Sequence, residues 1–218
     1  MMRNVRKNKD LGIYGLAAQW YDRNLRKSRL AEMKGYADEV AKHVTEGAHI
    51  LEVAPGPGYL SIELAKRGFH VTAVDISPDF VEIAKRNAKE ASVSVNFMEG
   101  NASHLPLENH RFDFVVCTAA FKNFKEPVKA LCEMYRVLKE GGTALVIDMN
   151  REATDEAIEH EVSKMKGLDK YFVKFSFKTF LKQGAYTKEE FETFIKETPF
   201  KNYDIRKEGI GLYVYLYK

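Results

Sequence analysis

The sequence predicts an α/β protein: a doubly wound sheet of seven strands, mostly parallel with an antiparallel C-terminal hairpin, and helices on both faces. Short apolar runs alternate with helical patterns between residues 48 and 149. Such alternation is typical of a parallel sheet whose strands are connected by helices. A Gly/Pro-rich turn at residues 54–58 follows the first run. Near the end, two aromatic-rich runs flank Gly209 and Gly211, which predicts a hairpin.

The first two thirds of the chain divide into alternating helices and strands. Apolar residues recur at helical spacing over residues 13–45, which predicts a long helix. Ser77 and Pro78 suit the N-cap and N1 positions, and Gly141-Gly142 is a typical helix stop. On these patterns the predicted strands are 48–54, 69–75, 93–98, 112–118 and 143–149, and the predicted helices between them are 58–67, 77–90 and one that ends at 141–142.

The last third differs in composition. Residues 151–166 have a polar helical pattern, and residues 169–183 are rich in aromatic side chains. Thr187 and Glu190 form a capping-box pattern that opens another helix. We predict a single domain over residues 1–218. Its parts are an N-terminal helical cap (1–46), a cofactor-binding core (47–150), a lid insertion (151–186), and a final helix and hairpin (187–218).

Composition limits the class of protein. A chain of 218 residues is long enough for one domain with a real core. No run approaches 18 apolar residues, so no membrane span is expected, and the basic first residues lack the apolar stretch of a signal peptide. The two cysteines, Cys117 and Cys132, are too few for a disulfide framework. We expect both to be core thiols in a reducing cytoplasm.

Charge is unevenly distributed along the chain. The net charge is +6 over residues 1–34, −8 over residues 35–163 and +5 over residues 164–218. Basic ends around an acidic core can indicate an anionic partner. The basic residues form no continuous run and accompany no known RNA-binding module, so a nucleic-acid partner is disfavoured. The sequence leaves the choice between monomer and homodimer open.

The turn at residues 54–58 has the features of a cofactor site. Gly56 and Gly58 lack a Cβ, so the backbone can approach a ligand and adopt positive φ. The helix that follows presents free N–H groups at its N-terminus. Asp75 ends the second apolar run about 20 residues further on, where an acid can accept hydrogen bonds from ribose hydroxyls. Glycines needed only for turn geometry are the alternative, but the combined spacing favours a site for an adenosine-containing cofactor.

Five segments in order resemble the motifs of the class I S-adenosylmethionine-dependent methyltransferases, in the type 11 or UbiE-like branch. The first is Glu52-Val-Ala54-Pro-Gly56-Pro-Gly58. The others are Val-Asp-Ile-Ser at 74–77, Gly-Asn-Ala-Ser-His-Leu-Pro-Leu at 100–107, Arg-Phe-Asp-Phe-Val-Val-Cys-Thr at 111–118 and Arg-Val-Leu-Lys-Glu-Gly-Gly at 136–142. The resemblance spans about residues 47–149. It implies a Rossmann-like fold and S-adenosylmethionine as cofactor, with S-adenosylhomocysteine as its product.

The resemblance also implies which residues contact the cofactor. Gly56 and Gly58 would face its methionine part, and Glu52 would orient the loop and the ammonium group. Asp75 would accept hydrogen bonds from the ribose hydroxyls, and Ile76 would flank the adenine. The full implied set is Glu52, Ala54, Gly56, Gly58, Asp75, Ile76, Asn101, Ala102, Thr118 and Tyr21.

The remaining members of that set lie on later segments or on the first helix. Asn101 and Ala102 would meet the amino edge of the adenine, and Thr118 would lie near the sulfonium. Tyr21, together with Tyr14, could close over the cofactor, or both could be packing aromatics.

Two positions depart from the family pattern. Ala54 replaces the first glycine, and because alanine is costly at positive φ, we expect negative φ there. Asn101 stands where the family usually has Asp, but an amide oxygen still accepts a hydrogen bond from an adenine amine. Gly58 is followed by Tyr59, Leu60 and Ser61, so the third glycine of a dinucleotide fingerprint is absent and an NAD-linked oxidoreductase is disfavoured.

The acceptor side is less well defined by the sequence. Lys122, Asn123 and Tyr21 are weak candidates for catalytic residues, because they follow strand four or lie on the first helix. Residues 169–182 carry a lysine every fourth position between aromatics, either as a lid for an anionic, partly apolar substrate or as a plain amphipathic helix. The chain offers too few hard ligands for a metal site.

These patterns together predict a methyltransferase that moves a methyl group to a small-molecule acceptor at an oxygen, nitrogen, sulfur or carbon atom. Two alternatives remain open. The enzyme could be directed to RNA, or the chain could bind the cofactor without catalysing transfer.

Overall fold

A computed structural model describes residues 10–163 and 184–218. Within them the strands are β1 (His49–Val53), β2 (His70–Asp75), β3 (Asn96–Glu99), β4 (Phe112–Thr118), β5 (Leu138–Met149), β6 (Asn202–Glu208) and β7 (Gly211–Tyr217). They form one sheet in the order β3-β2-β1-β4-β5-β7-β6. The first five strands are parallel, and β7 pairs antiparallel with β5 and β6. The fold class predicted from the sequence is confirmed.

Helices cover both faces of this sheet. In the described ranges they are α1 (Gly15–Ala41), α2 (Tyr59–Lys66), α3 (Pro78–Glu90), α4 (Pro127–Val137), α5 (Asp155–Ser163) and α6 (Lys188–Lys196), with a 3-10 turn at Phe121–Asn123. Alternate residues of β1 face opposite sides, as strand geometry requires. Leu51 packs in one cluster with Leu131 of α4 and Phe191 of α6, and Ile50 packs in another with Leu60 of α2.

Two helix starts have the caps that the sequence predicts. The Ser77 hydroxyl accepts a hydrogen bond from the Phe80 amide at 3.3 Å, with Pro78 at the first helical position of α3. At α6, Thr187 and Glu190 form a reciprocal capping box, with N···O distances of 3.3 Å and 2.9 Å. Each cap satisfies amides that have no partner inside the helix.

The predicted end of α4 is wrong. The helix was expected to end at Gly141-Gly142, but it ends at Val137, and Leu138 already pairs with Phe112 in the sheet. The register between β4 and β5 then shifts, and Gly141 adopts a φ of 77°. The two glycines therefore allow an irregularity within β5 and do not stop the helix.

Strand β3 begins three residues later than predicted, at Asn96 instead of residue 93. Ser92 has a φ of 55°, and the Val93 amide donates to the Ala88 carbonyl at 3.1 Å. These residues complete the C-terminus of α3, so they are not available for pairing with β2.

The cysteines and helices agree in part with expectation. Both cysteines are free, and Cys117 is buried, but Cys132 is only half-buried, so its assignment to the core is wrong. Across residues 10–163 and 184–218, none of the helices combines the length and apolar character needed to cross a bilayer. Residues 164–183, which make up most of the predicted lid insertion at 151–186, lie outside the described residues.

Candidate cofactor site

The predicted site residues meet at the carboxyl edge of the sheet. Strand order reverses between β1 and β4, and in open α/β sheets ligands bind at this position. Glu52 lies at the end of β1, Asp75 ends β2, Asn101 follows β3 and Thr118 ends β4. The topology therefore brings together four residues that span 67 positions of the sequence.

Ala54 corrects one expectation from the sequence. Its φ is +58°, not negative, so an alanine adopts the left-handed conformation for which the family uses glycine. Its amide donates to the Val74 carbonyl of β2 at 2.8 Å, which fixes the start of the turn. This conformation costs a non-glycine residue about 1–2 kcal/mol. Ala54 retains it because the residues on both sides are held by hydrogen bonds to β2.

Gly58 is required by close packing as well as by its dihedral angle. It is the N-cap of α2 with a φ of 80°. A Cβ at this position would lie 2.8 Å from Phe97 and 2.9 Å from Ala84, closer than any real contact. The preceding Pro57 carbonyl accepts a hydrogen bond from the Asn87 side chain at 3.0 Å. The turn therefore rests directly on α3 and β3.

Glu52 is a buried acid beneath the turn. Its side chain is 1% exposed and accepts a hydrogen bond from the Ser61 hydroxyl of α2. Burial raises the pKa of Glu52 to about 7, although the Ser61 hydrogen bond and the charge of Arg29 oppose the rise. Neither the Ser61 hydrogen bond nor the influence of Arg29 on Glu52 was predicted from the sequence.

Asp75 joins the turn to the start of α3 through its two carboxylate oxygens. Oδ2 accepts from the Gly56 amide and Oδ1 from the Ser77 amide, each at 2.9 Å. Burial raises the pKa of Asp75, and the amide hydrogen bonds oppose this. Each carboxylate oxygen has a second lone pair, so Asp75 can accept two further hydrogen bonds from a vicinal diol.

Asn101 has a different environment from the one expected. Its amide oxygen accepts a hydrogen bond from the Ser103 amide at 2.8 Å, in its own turn. Its amide nitrogen donates to Asp10 Oδ2 at 3.0 Å. The other oxygen of Asp10 accepts from the Lys125 amide at 2.8 Å. Asp10 therefore places a carboxylate at the position where the sequence predicts adenine recognition.

Asp10 belongs to a strap, residues 10–15, that crosses the carboxyl edge of the sheet. The Leu11 amide donates to the Asn123 carbonyl at 3.2 Å, and the Ser77 hydroxyl donates to the Ile13 carbonyl at 2.6 Å. The Gly15 amide donates to Asp79 at 2.9 Å. The strap joins groups 64 to 115 positions apart, and no local pattern in the sequence identifies it.

Thr118 is buried at the end of β4, and the next residue is strained. Ala119 has a φ of 56°, and its amide donates to the Ile147 carbonyl at 2.7 Å. Left-handed alanines thus follow β1 and β4, on both sides of the point where strand order reverses. Strain of this kind concentrates at functional sites, and the Ala119 position was not found from the sequence.

Lys122 forms a buried ion pair. Its ammonium group lies 2.9 Å from Asp148 Oδ1, and its amide donates to Oδ2 of the same carboxylate at 2.8 Å. The ammonium also donates to the Ala119 carbonyl. A protonated, paired amine has no lone pair to accept a proton. The geometry favours a structural role for Lys122, whereas Asn123 contributes its carbonyl to the strap.

The remaining predicted residues flank the turn. Tyr21 is half-buried and packs edge-on against Phe80 of α3, with ring centroids 5.8 Å apart. Tyr14 is 49% exposed at the N-cap of α1. Ile76 and Ala102 are half-buried beside Asp75 and Asn101 in the sequence. The predicted roles of Tyr14, Tyr21, Ile76 and Ala102 at the cofactor remain predictions.

The strand order, the strained turn and the acid at the tip of β2 define a Rossmann-like domain that binds an adenosine-containing cofactor. Residues 51–146 match the family model described as a methyltransferase domain. The core of the chain is therefore similar to the class I S-adenosylmethionine-dependent methyltransferases, in the UbiE-like branch. This confirms the resemblance predicted from the sequence, and the cofactor of the class is S-adenosylmethionine.

Individual relatives agree with this family. A demethylmenaquinone methyltransferase from Deinococcus radiodurans is 33% identical over 129 residues, which cover 58% of this chain and 50% of the relative. Another demethylmenaquinone methyltransferase, from Staphylococcus haemolyticus, is 29% identical over 194 residues, which cover 87% of this chain and 77% of the relative. The chain spans about half the length of the first relatives it matches.

A solved structure shows the same fold. It is a Methanococcus maripaludis protein assigned to the S-adenosylmethionine-dependent methyltransferases. It superposes with a TM-score of 0.76 at 23% identity, covering 97% of this chain and 96% of that one.

Proposed function

We propose that this chain transfers a methyl group from S-adenosylmethionine to a small-molecule acceptor. The observation that carries the proposal is the double role of Asp75. Its carboxylate closes the turn through the Gly56 amide and retains lone pairs for two ribose hydroxyls. Asp75 and the turn therefore form one hydrogen-bonded unit beside β1 and β4, where the strand order reverses. This arrangement fits an adenosyl cofactor.

The amino-acid part of the cofactor requires groups of both charges. We propose that Glu52 holds its ammonium group, and the cofactor's positive charge would favour the ionised carboxylate. Arg29 is close enough to Glu52 to influence its pKa, and we propose that its guanidinium holds the cofactor's carboxylate. Arg29 is already paired with Glu32, which in turn accepts a hydrogen bond from Tyr36 at 2.6 Å.

Bound S-adenosylmethionine supplies an activated methyl group on a sulfonium. The protein then has to align the acceptor and exclude water, which can supply most of the acceleration. The strap at residues 10–15 is positioned to exclude water. Because Lys122 and Asp148 are already paired with each other, we propose an acceptor that ionises without help from either of them.

We propose that the acceptor contains a flat, partly apolar ring. The methyl group could be transferred to an oxygen, nitrogen, sulfur or carbon atom of this acceptor. Support comes from an aromatic cluster beside the end of β4, formed by Phe121, Phe124, Tyr186, Phe191 and Phe194. Burial raises the pKa of Tyr186 to about 12, so its hydroxyl stays a hydrogen-bond donor at neutral pH. Several relatives are named demethylmenaquinone methyltransferases, and demethylmenaquinone has such a ring.

Two further parts of the proposal concern the lid and the location. The lysines of residues 169–182 would attract a negatively charged acceptor, and replacing Lys174 and Lys178 with Gln should raise the KM of the true substrate.

Free thiols at Cys117 and Cys132 support a cytoplasmic location.

Calorimetry with S-adenosylhomocysteine tests cofactor binding. We expect Asp75→Ala to weaken binding at least about 100-fold, because it removes two hydrogen bonds to a charged group and each contributes roughly 1.5–3 kcal/mol. Asp113→Ala is the matched control. Asp113 also accepts a backbone amide, from His49 at 2.8 Å, but it lies at the amino end of β4. Equal losses in the two variants would contradict the assignment of Asp75.

Methyl transfer is tested with methyl-labelled S-adenosylmethionine and a panel of aromatic hydroxyl, amine and quinol acceptors. Label in the organic phase that depends on Asp75 supports the proposal. Cofactor binding without transfer to any acceptor would favour a binding protein without catalysis. Transfer to RNA alone would favour the RNA-directed alternative.

A further inference from the structure

The exposed apolar side chains of this protein are concentrated at one place. In the described parts of the chain, seven large apolar side chains are exposed, and five of them lie between residues 11 and 20. We call these five residues the apolar patch: Leu11, Ile13, Tyr14, Leu16 and Trp20. Leu16 is 83% exposed and Trp20 is 53% exposed. Apolar patches of this kind mark interaction sites on folded proteins.

The patch is an outward face, and the opposite face of the same helix is packed. Ala18 is fully buried against Phe80 and Ile83 of α3. Leu16 and Trp20 are four residues apart, so their side chains are neighbours on the other side of α1. The first turns of α1 are therefore already anchored to the domain, and burial of Leu16 and Trp20 is not needed for that contact.

Positive charge adjoins the patch in the sequence. Residues 1–9 include Arg3, Arg6, Lys7 and Lys9 and contain no acid, and they connect directly to the strap. Arg23, three residues beyond Trp20, is exposed on α1. The nearby acids are occupied. Asp10 accepts hydrogen bonds from Asn101 and Lys125, and Asp79 accepts one from Gly15.

We propose that the apolar patch docks on an anionic lipid surface. An apolar face containing Trp and Leu beside Lys and Arg is the combination that lies in the interface of a bilayer. The basic residues would attract acidic headgroups, and the apolar side chains would enter the headgroup boundary. A second copy of this chain fits less well, because a two-fold contact would bring the two basic segments together. This docking does not depend on methyl transfer.

Trp20 provides a direct test, since it is the single tryptophan of the chain. The full-length protein, without cofactor, is titrated with vesicles of phosphatidylcholine containing phosphatidylglycerol, or of phosphatidylcholine alone. We expect the Trp20 emission to shift to shorter wavelength, and brominated lipid to quench it. Binding should be about tenfold or more weaker to the neutral vesicles and should fall as salt is added, because salt screens exposed charges.

Matched variants separate docking from general charge effects. Leu16→Glu places an acid in the patch, and because Leu16 is largely exposed, the fold should be unaffected. Tyr203→Glu places the same charge at an exposed apolar position of β6, where Tyr203 is 38% exposed. We expect Leu16→Glu to abolish the emission shift and Tyr203→Glu to leave it within about twofold.

Four outcomes would overturn the proposal. The first is no emission shift with anionic vesicles, and the second is an equal loss of the shift in both variants. The third is short-wavelength emission before vesicles are added, which would show that another part of the chain covers Trp20. The fourth is a dimer in sedimentation that Leu16→Glu dissociates, which would show that a second copy covers the patch. None of these outcomes bears on cofactor binding at Asp75, so the two proposals fail separately.

Discussion

Glu52 combines a raised pKa with a proposed role that requires a charged carboxylate. An acid whose pKa is raised by burial opposes folding once it ionises. Because the pKa of Glu52 is about 7 in the folded state against 4.5 for the free side chain, this penalty is absent below pH 4.5, grows between pH 4.5 and 7, and is constant at higher pH. The proposed contact with the cofactor's ammonium group uses the ionised form, so stability and this proposed function make opposite demands on Glu52.

Replacing Glu52 with Gln should therefore stabilise the protein in a pH-dependent way. We expect a gain of about 3 kcal/mol at pH 8 and less than about 1 kcal/mol at pH 5. Urea unfolding at the two pH values measures this gain. The same variant should bind S-adenosylhomocysteine more weakly at both. A gain that does not change with pH would show that Glu52 is not the group that titrates.

Ala54 and Ala119 hold the turns after β1 and β4 in the left-handed region. Ala54→Gly should stabilise the protein by about 1 kcal/mol, because glycine adopts positive φ without steric penalty. Ala91→Gly is the control, since Ala91 has an ordinary φ of −81° at the end of α3. This variant should be less stable by about 0.5–1 kcal/mol, because glycine there only adds freedom to the unfolded chain. Denaturant unfolding of both variants gives the comparison, and the same sign for both would contradict the strain at Ala54.

At the scale of elements, the Lys122–Asp148 pair connects the 3-10 turn after β4 to the end of β5. Lys122→Met alone should cost about 3–5 kcal/mol of stability, because it leaves a buried carboxylate without its partner. Replacing both residues, as Lys122→Met with Asp148→Leu, should recover most of that loss. Urea unfolding of the single and double variants measures the coupling between the two residues.

The same variants address the weak catalytic assignment of Lys122. If its role is structural, the kcat of the Lys122→Met protein, per folded molecule, should stay within a few-fold of the original. A loss of kcat by a factor of 10² or more in folded protein would instead support direct participation in proton transfer.

At the scale of the whole molecule, cofactor binding and folding are linked. The turn follows β1, Asp75 ends β2 and the strap precedes α1, so the site exists only in the folded state. S-adenosylhomocysteine at 100 times its Kd should add about 2.7 kcal/mol of stability. For a chain of this size the Tm should rise by roughly 5–11 °C. Thermal melts should show this rise in Asp113→Ala and little rise in Asp75→Ala.

Local patterns in the sequence were sufficient for the fold class, most element bounds and the turn with its acid. Apolar periodicity, the Ser77 cap and the capping box at Thr187 depend on neighbours within a few residues, so they are visible in the chain itself. The predicted end of α4 at Gly141-Gly142 failed because those glycines serve the pairing of β5 with β4. That pairing is a contact between strands, and helix-stop patterns carry no information about it.

What the sequence determined by itself is the order of the strands and helices and the motif residues carried on their ends. Tertiary structure alone decided the positive φ of Ala54, which depends on its hydrogen bond to Val74. It also decided the Lys122–Asp148 pair, 26 positions apart, and the Asp10–Asn101 contact, 91 positions apart. The physical reason is that such contacts depend on which strand ends meet at one edge of the sheet, and this is settled only when the sheet has assembled.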